Sequence, residues 1–192
     1  MKKIIDYMGL VADWQNFYRD FGIKTDFLNL QIPKKQEGFD RLIIMAQGIL
    51  PQWYYDQCKK RFLCWKWTEK NLDKIIDFSF QARSAKYSPY AIWVRERVEA
   101  DEELKELSAI DLKDQGIHGI LIEERFAYEL KFFDETGGHL DIQNGTLCSG
   151  SRVDDGGVPS VGWTSYCREM SVNWRSGRDS FGILRSRQII FN

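Results

Sequence analysis

From Lys3 to Phe21 the chain places Ile4, Met8, Val11, Trp14, Tyr18 and Phe21 at steps of three and four residues, the spacing that lines one face of a helix. Gly22 can end it, because glycine tolerates the left-handed backbone that closes helices. A polar connection with Pro33 and Gly38 follows, and Arg41 to Ala46 then reads as a short buried strand. Pro51 suits a helix start because its missing N–H costs nothing in the first turn, which predicts a helix over Gln52 to Phe62. Trp65 and Trp67 alternate around Lys66 as a strand would. A short helix is expected over Asn71 to Phe78. Tyr90 to Val94 is a second strand, expected to pair with Leu42 to Ala46.

The acidic run Glu99 to Glu103 leads into Leu104 and Leu107, and negative charge there favours the first turn of a helix. The clearest periodicity predicts a helix over Ile122 to Phe133, with Ile122, Phe126, Ala127, Leu130 and Phe133 on one face. Glu123, Glu124, Glu129 and Lys131 fall on the other, and Gly137 and Gly138 end it. Nothing in the spacing marks the two adjacent glutamates as an acid–base pair. From Asp141 onward Gly, Ser, Asn and Asp accumulate between short apolar runs. Strands are expected at Thr146 to Cys148, Val161 to Trp163, Met170 to Trp174 and Ile183 to Phe191, separated by Asp155 to Gly157, Thr164 to Arg168 and Arg175 to Ser180. The pattern predicts an α+β chain: a helical and small-sheet N-terminal part over 1–140 and a strand-and-loop part over 141–192, continuous with it.

Composition changes this picture little. The formal net charge of -1 gives no electrostatic case for nucleic acid, and the longest basic cluster, Lys59 to Arg61, is short, so no nucleic-acid partner is expected. No apolar run is long enough for a membrane span. Lys2 and Lys3 are followed by Asp6, Asp13 and Trp14, which break any signal-like core, so a cytoplasmic location with reduced thiols is expected for Cys58, Cys64, Cys148 and Cys167. Neither cysteine pair has metal spacing, and no cofactor is implied. The seven Trp raise the aromatic share, which serves cores and recognition surfaces alike.

Candidate chemistry is sparse. Ser149 and Ser151 flank Gly150, but the stretch lacks the glycine on each side of a serine that a nucleophile elbow needs. His118 and His139 lie at turns without a nucleophile or an orienting acid placed by sequence. The denser signal is Arg, Asn, Ser and Tyr on the C-terminal loops. Arg152, Thr164, Ser165, Tyr166, Arg168, Asn173, Arg175, Ser176 and Arg178 are the candidate contacts for a protein or small-molecule ligand. Trp163 and Trp174, inside apolar strands, are expected in the core.

The stretches Glu-Arg-Phe-Ala-Tyr-Glu-Leu-Lys, Glu-Thr-Gly-Gly-His-Leu-Asp, Leu-Cys-Ser-Gly-Ser-Arg, Asp-Gly-Gly-Val-Pro-Ser-Val-Gly-Trp and Leu-Arg-Ser-Arg-Gln resemble uncharacterised proteins of small-genome candidate-phylum bacteria. More distantly, the tail resembles the C-type-lectin-like, formylglycine-generating-enzyme-type domain of variable proteins from diversity-generating retroelements. Cys148 to Arg152 stands for that domain's Gly-Gly-Ser-Trp strand and Gly182 to Arg185 for its closing Gly-Phe-Arg. The first lacks the glycine pair and Trp, and the second has an extra residue and Leu for Phe. The resemblance implies a rigid scaffold whose loop residues vary to change ligand choice, without chemistry of its own. Two other readings stay open: an enzyme with a site near His139 or Cys148, and a structural or complex-forming subunit.

Overall fold

The computed structural model describes residues 6–192, so Lys3 and Ile4 of the first predicted helix lie outside the described residues. Helix α1 (Tyr7–Asp20) starts at Asp6, whose side chain accepts the Gly9 N–H. Trp14, Phe17 and Tyr18 form its buried face, while Met8, expected on that face, is exposed and its neighbour Tyr7 packs edge-on against Trp93. Trp14 donates its indole N–H to the Leu42 carbonyl and Tyr18 its hydroxyl to that of Ile44, fixing α1 on β1 (Arg41–Met45). β1 pairs antiparallel with β3 (Tyr90–Val94), the expected pairing, with Leu42 opposite Trp93 and Ile44 opposite Ala91.

Helix α2 (Pro51–Arg61) opens on its proline and packs against the long helix α5 (Ile122–Thr136). Strand β2 (Leu63–Lys66) contains Trp65, whose ring is half exposed. The helix expected over Asn71 to Phe78 is a single turn, α3 (Leu72–Ile75), because Ile76 leaves helical geometry to bridge Val153. The acidic run forms a 3-10 turn (Glu102–Leu104) rather than a helix. Asp101 points inward instead, taking the Arg95 guanidinium and the Gln188 N–H. The helix comes later as α4 (Ala109–Asp114), opened by a capping box between Ser108 and Asp111.

Helix α5 closes at Gly137, whose φ of 69° is the left-handed conformation expected of it. Its polar face departs from the sequence reading: Glu123, Glu124, Glu129 and Lys131 are buried with the rest. α5 lies between α2 and β1 and also meets β5, so it has no solvent side over these turns. Three of these side chains have charged partners, whereas Glu123 meets only the Gln81 amide, at 3.4 Å. Glu124 takes Arg83 on both oxygens, Glu129 takes Arg125 and His139, and Lys131 reaches Asp13 and Glu135.

The second sheet is five-stranded, in the order β2-β6-β5-β4-β7. Its strands are β4 (Gly145–Leu147), β5 (Val158–Thr164), β6 (Glu169–Arg175) and β7 (Leu184–Arg185), with β2 added parallel to β6 from the N-terminal half of the chain. The strand expected over Ile183 to Phe191 shrinks to two residues, followed by isolated bridges at Gln188 to Gly119 and Ile190 to Trp93. Val161, Met170 and Val172 enter the core. Trp174, expected beside them, is exposed at the sheet's end, where its indole N–H reaches Asp155 and its ring covers Gly157. The fold is α+β, and no helix among the described residues is long and apolar enough to cross a membrane.

Candidate functional site

Cross-strand partners in an antiparallel pair share a face. β5 and β6 pair Val158 with Arg175, Ser160 with Asn173, Gly162 with Ser171 and Thr164 with Glu169, which sets these residues opposite the core side. Most are small or polar. Of these, Ser160, Gly162, Thr164, Ser171, Asn173 and Arg175 floor a groove of about 290 Å³, bordered by Ile142 to Gly145 and by Ile183 and Leu184, which adjoin each other on the β4–β7 side, while Val158 is buried with Ala109 and Leu147. Gly162 keeps the floor low: a Cβ there would lie 3.1 Å from the Asn144 carbonyl oxygen.

Arg175 donates through Nε to Ser160 Oγ at 3.2 Å, and the Thr164 and Ser171 hydroxyls meet at 2.9 Å. Among the described residues no carboxylate pairs with Arg175, and neither its terminal N–H groups nor the Asn173 amide make a side-chain hydrogen bond. The groove thus offers a planar cation and an amide beside apolar rims, since Ile142 and Ile183 are exposed. Leu63 and Trp65 of β2 continue the same face, opposite Glu169 and Ser171, and both are exposed.

Of the nine candidates, Thr164, Asn173 and Arg175 line this groove. Ser165, Tyr166 and Arg168 form the β5–β6 hairpin tip, where Tyr166 is 97% exposed and Arg168 has a φ of 52°. Ser176 and Arg178 occupy the turn at the opposite end of β6, held by Ser176 N–H to Asp179 and Arg178 N–H to Ser176 Oγ. Arg152 does not join them. It is 8% exposed, folded onto the Ser149 and Ser151 carbonyls and stacked on Phe80, because the loop carrying it is pinned against α5.

Ser160, Ser171, Gln143 and Asn144, which complete the groove, were not among the candidates. The signal for Ser171 lies in the two-residue alternation of β6, where Glu169, Ser171, Asn173 and Arg175 interleave with Met170, Val172 and Trp174.

The candidate enzymatic groups are enclosed. His139 is stacked flat on Trp163 at 3.3 Å between ring centres, with Nδ1 2.9 Å from Glu129. Cys148 is fully buried, and burial pushes its thiol well above the ordinary range, the reverse of what a nucleophile needs. Comparison of the chain with protein-family models, with curated proteins and with solved structures finds no match.

Proposed function

We propose that this chain is a ligand-binding protein that displays its contacts on the outer face of the five-stranded sheet and the two turns bounding β6. The observation that carries this reading is that Thr164, Asn173 and Arg175 line one groove on a face whose other side is core, with Thr164 towards the hairpin end and Asn173 and Arg175 further along β6. Their polar groups are held on strands, so they lose little freedom on binding, while the tips at Tyr166 and Arg178 extend the surface. The same division between fixed inner and open outer residues suits a C-type-lectin-like scaffold whose surface positions vary between copies. The four cysteines, all free, agree with a reducing, cytoplasmic setting.

The test is the nucleotide sequence encoding residues 146 to 192, compared with the rest of its genome. A near-identical non-coding copy that differs mainly at adenines, with the differences falling on the codons of Thr164, Ser165, Tyr166, Arg168, Asn173, Arg175, Ser176 and Arg178, supports the variable-display reading. Differences falling on Met170, Val172 or Val161 count against it, because those side chains hold the sheet to the core.

A further inference from the structure

A second concavity lies elsewhere and shares no lining residue with the sheet groove. The loop from Cys148 to Arg152 leaves β4 and folds against the start of α5. Ser151 Oγ accepts the Ile122 N–H at 3.0 Å, and the Gly150 N–H donates to the Ile120 carbonyl at 3.2 Å. Gly150 is required there, since a Cβ would stand 2.5 Å from the Gly119 carbonyl oxygen. This pinning fixes where Arg152 points.

Arg152 is buried without a counterion. Its Nη1 donates to the Ser149 and Ser151 carbonyls at 2.9 and 2.7 Å, and its guanidinium carbon lies 4.3 Å from the centre of the Phe80 ring. Among the described residues no carboxylate comes within ion-pair distance of it, whereas the comparably buried Arg125 and Arg187 and the buried Arg83 guanidinium each meet one. Burial draws the Arg152 cation below its ordinary range with nothing opposing. Among the described residues its Nε and Nη2 make no hydrogen bond and are not sealed from solvent, and Arg152 lines the adjoining cleft. An unpaired, largely desolvated guanidinium is costly unless an anion meets it.

The cleft, of about 300 Å³, fits such a partner. Lys113 Nζ lies 5.7 Å from the centre of the same Phe80 ring and pairs with no carboxylate among the described residues. His118 adds an imidazole to the wall. Arg83 also borders the cleft, but its charge is consumed by Glu124. The largest of the remaining lining residues, Phe80, Leu112 and Ile117, are apolar, and the Ser149 hydroxyl there is taken up by Ser186.

We infer that this cleft binds a small organic anion, a carboxylate or a phosphate ester, with its charge between Arg152 and Lys113 and its apolar body against Phe80, Leu112 and Ile117. The volume is at the small end of ligand sites, which suits a single ring or short chain.

Calorimetric titration of the full chain with phenyl phosphate, benzoate, inorganic phosphate and benzyl alcohol tests it, with amide spectra reporting the site through Gly119 and Gly150. At least one of the two aromatic anions is expected to bind about tenfold more tightly than either inorganic phosphate or the neutral alcohol, the gap to phosphate reflecting burial of the ring and the gap to the alcohol one charge-assisted contact. Lys113→Ala, at an exposed helical position, should weaken that binding roughly five- to tenfold, and Arg152→Gln more. Phe80→Ala should narrow the gap between phenyl phosphate and inorganic phosphate. Because Arg152 also holds its own loop, Lys113→Ala and Phe80→Ala decide the matter if Arg152→Gln does not fold. Absence of binding by both aromatic anions, equal binding by inorganic phosphate, or unchanged affinity in Lys113→Ala overturns the inference. None of these outcomes touches the sheet groove.

Discussion

Arg125 and Asp141 meet in the interior at 2.9 Å with both side chains fully buried, joining α5 to the loop that opens the five-stranded sheet. Asp141 also takes Arg187 through its other oxygen and the Thr146 hydroxyl, so one carboxylate faces two arginines. Its backbone is left-handed, with φ 55°, a conformation Asp and Asn tolerate better than most residues.

Asp141→Asn suits that backbone but removes the charge and turns one acceptor oxygen into a donor facing another donor, leaving Arg187 without a carboxylate partner. We expect it to destabilise the chain by about 3 kcal/mol or more, the cost of breaking a buried pair from one side. Urea denaturation measures this, and a loss below about 1 kcal/mol would mean water reaches the pair.

Glu123 is buried beside Glu124, and burial first, then its neighbour's negative charge, raises its carboxyl to about 8. Its folded value therefore exceeds its unfolded one, and the folded chain holds a proton that the unfolded chain releases. Stability is greatest below the unfolded value and falls as pH rises towards 8, by at most about 1.4 kcal/mol per pH unit. Thermal melts from pH 5 to 9 should show wild type losing stability relative to Glu123→Gln, with the difference levelling off above pH 8. Parallel curves would show that Glu123 is ionised throughout.

Tyr18 gathers three groups on one hydroxyl, donating to the Ile44 carbonyl, accepting the Ala46 N–H and meeting the Tyr54 hydroxyl at 2.7 Å. Tyr18→Phe leaves those buried groups short of a partner. A loss of about 1–3 kcal/mol is expected in chemical denaturation, whereas Tyr166→Phe, at a fully exposed tip, should be silent.

Gly150→Ala pushes a methyl onto the Gly119 carbonyl, a backbone group that cannot turn aside. A loss of about 1–3 kcal/mol should follow. Gly177→Ala, whose Cβ would find its nearest neighbour at 3.9 Å, serves as the control and should melt with wild type.

Where local pattern and tertiary demand agree, the sequence was legible. The β1–β3 pair, the helix begun by Pro51 and the helix stopped at Gly137 follow from alternation and from the backbone preferences of proline and glycine. α5 shows the limit. Its glutamates and Lys131 read as a solvated face because charge is normally exposed, and only packing from both sides, with Arg83 and Arg125 brought in, reverses that. α4 escaped although its Ser108 and Asp111 carry a capping signature, because the acidic run before it drew the helix start too early. The hairpin tips of the candidate surface could be read from turn residues, but the groove could not. Its floor depends on which β5 residue faces which β6 residue, and no local spacing states that register. Arg152 was misplaced for a related reason: the contact of Gly150 with Gly119 turns its loop inward.

The parallel seating of β2 on β6 also bears on how this surface could be borrowed or copied. A segment cut at Asp141 would carry four of the five strands and leave the backbone edge of β6 bare, with Met170 and Val172 stripped of the helices that cover them. Such a fragment would seek another strand and self-associate. Substitutions at the tips near Tyr166 and Arg178 therefore leave this seating untouched, while the segment that bears them needs β2 from the N-terminal half to complete its sheet.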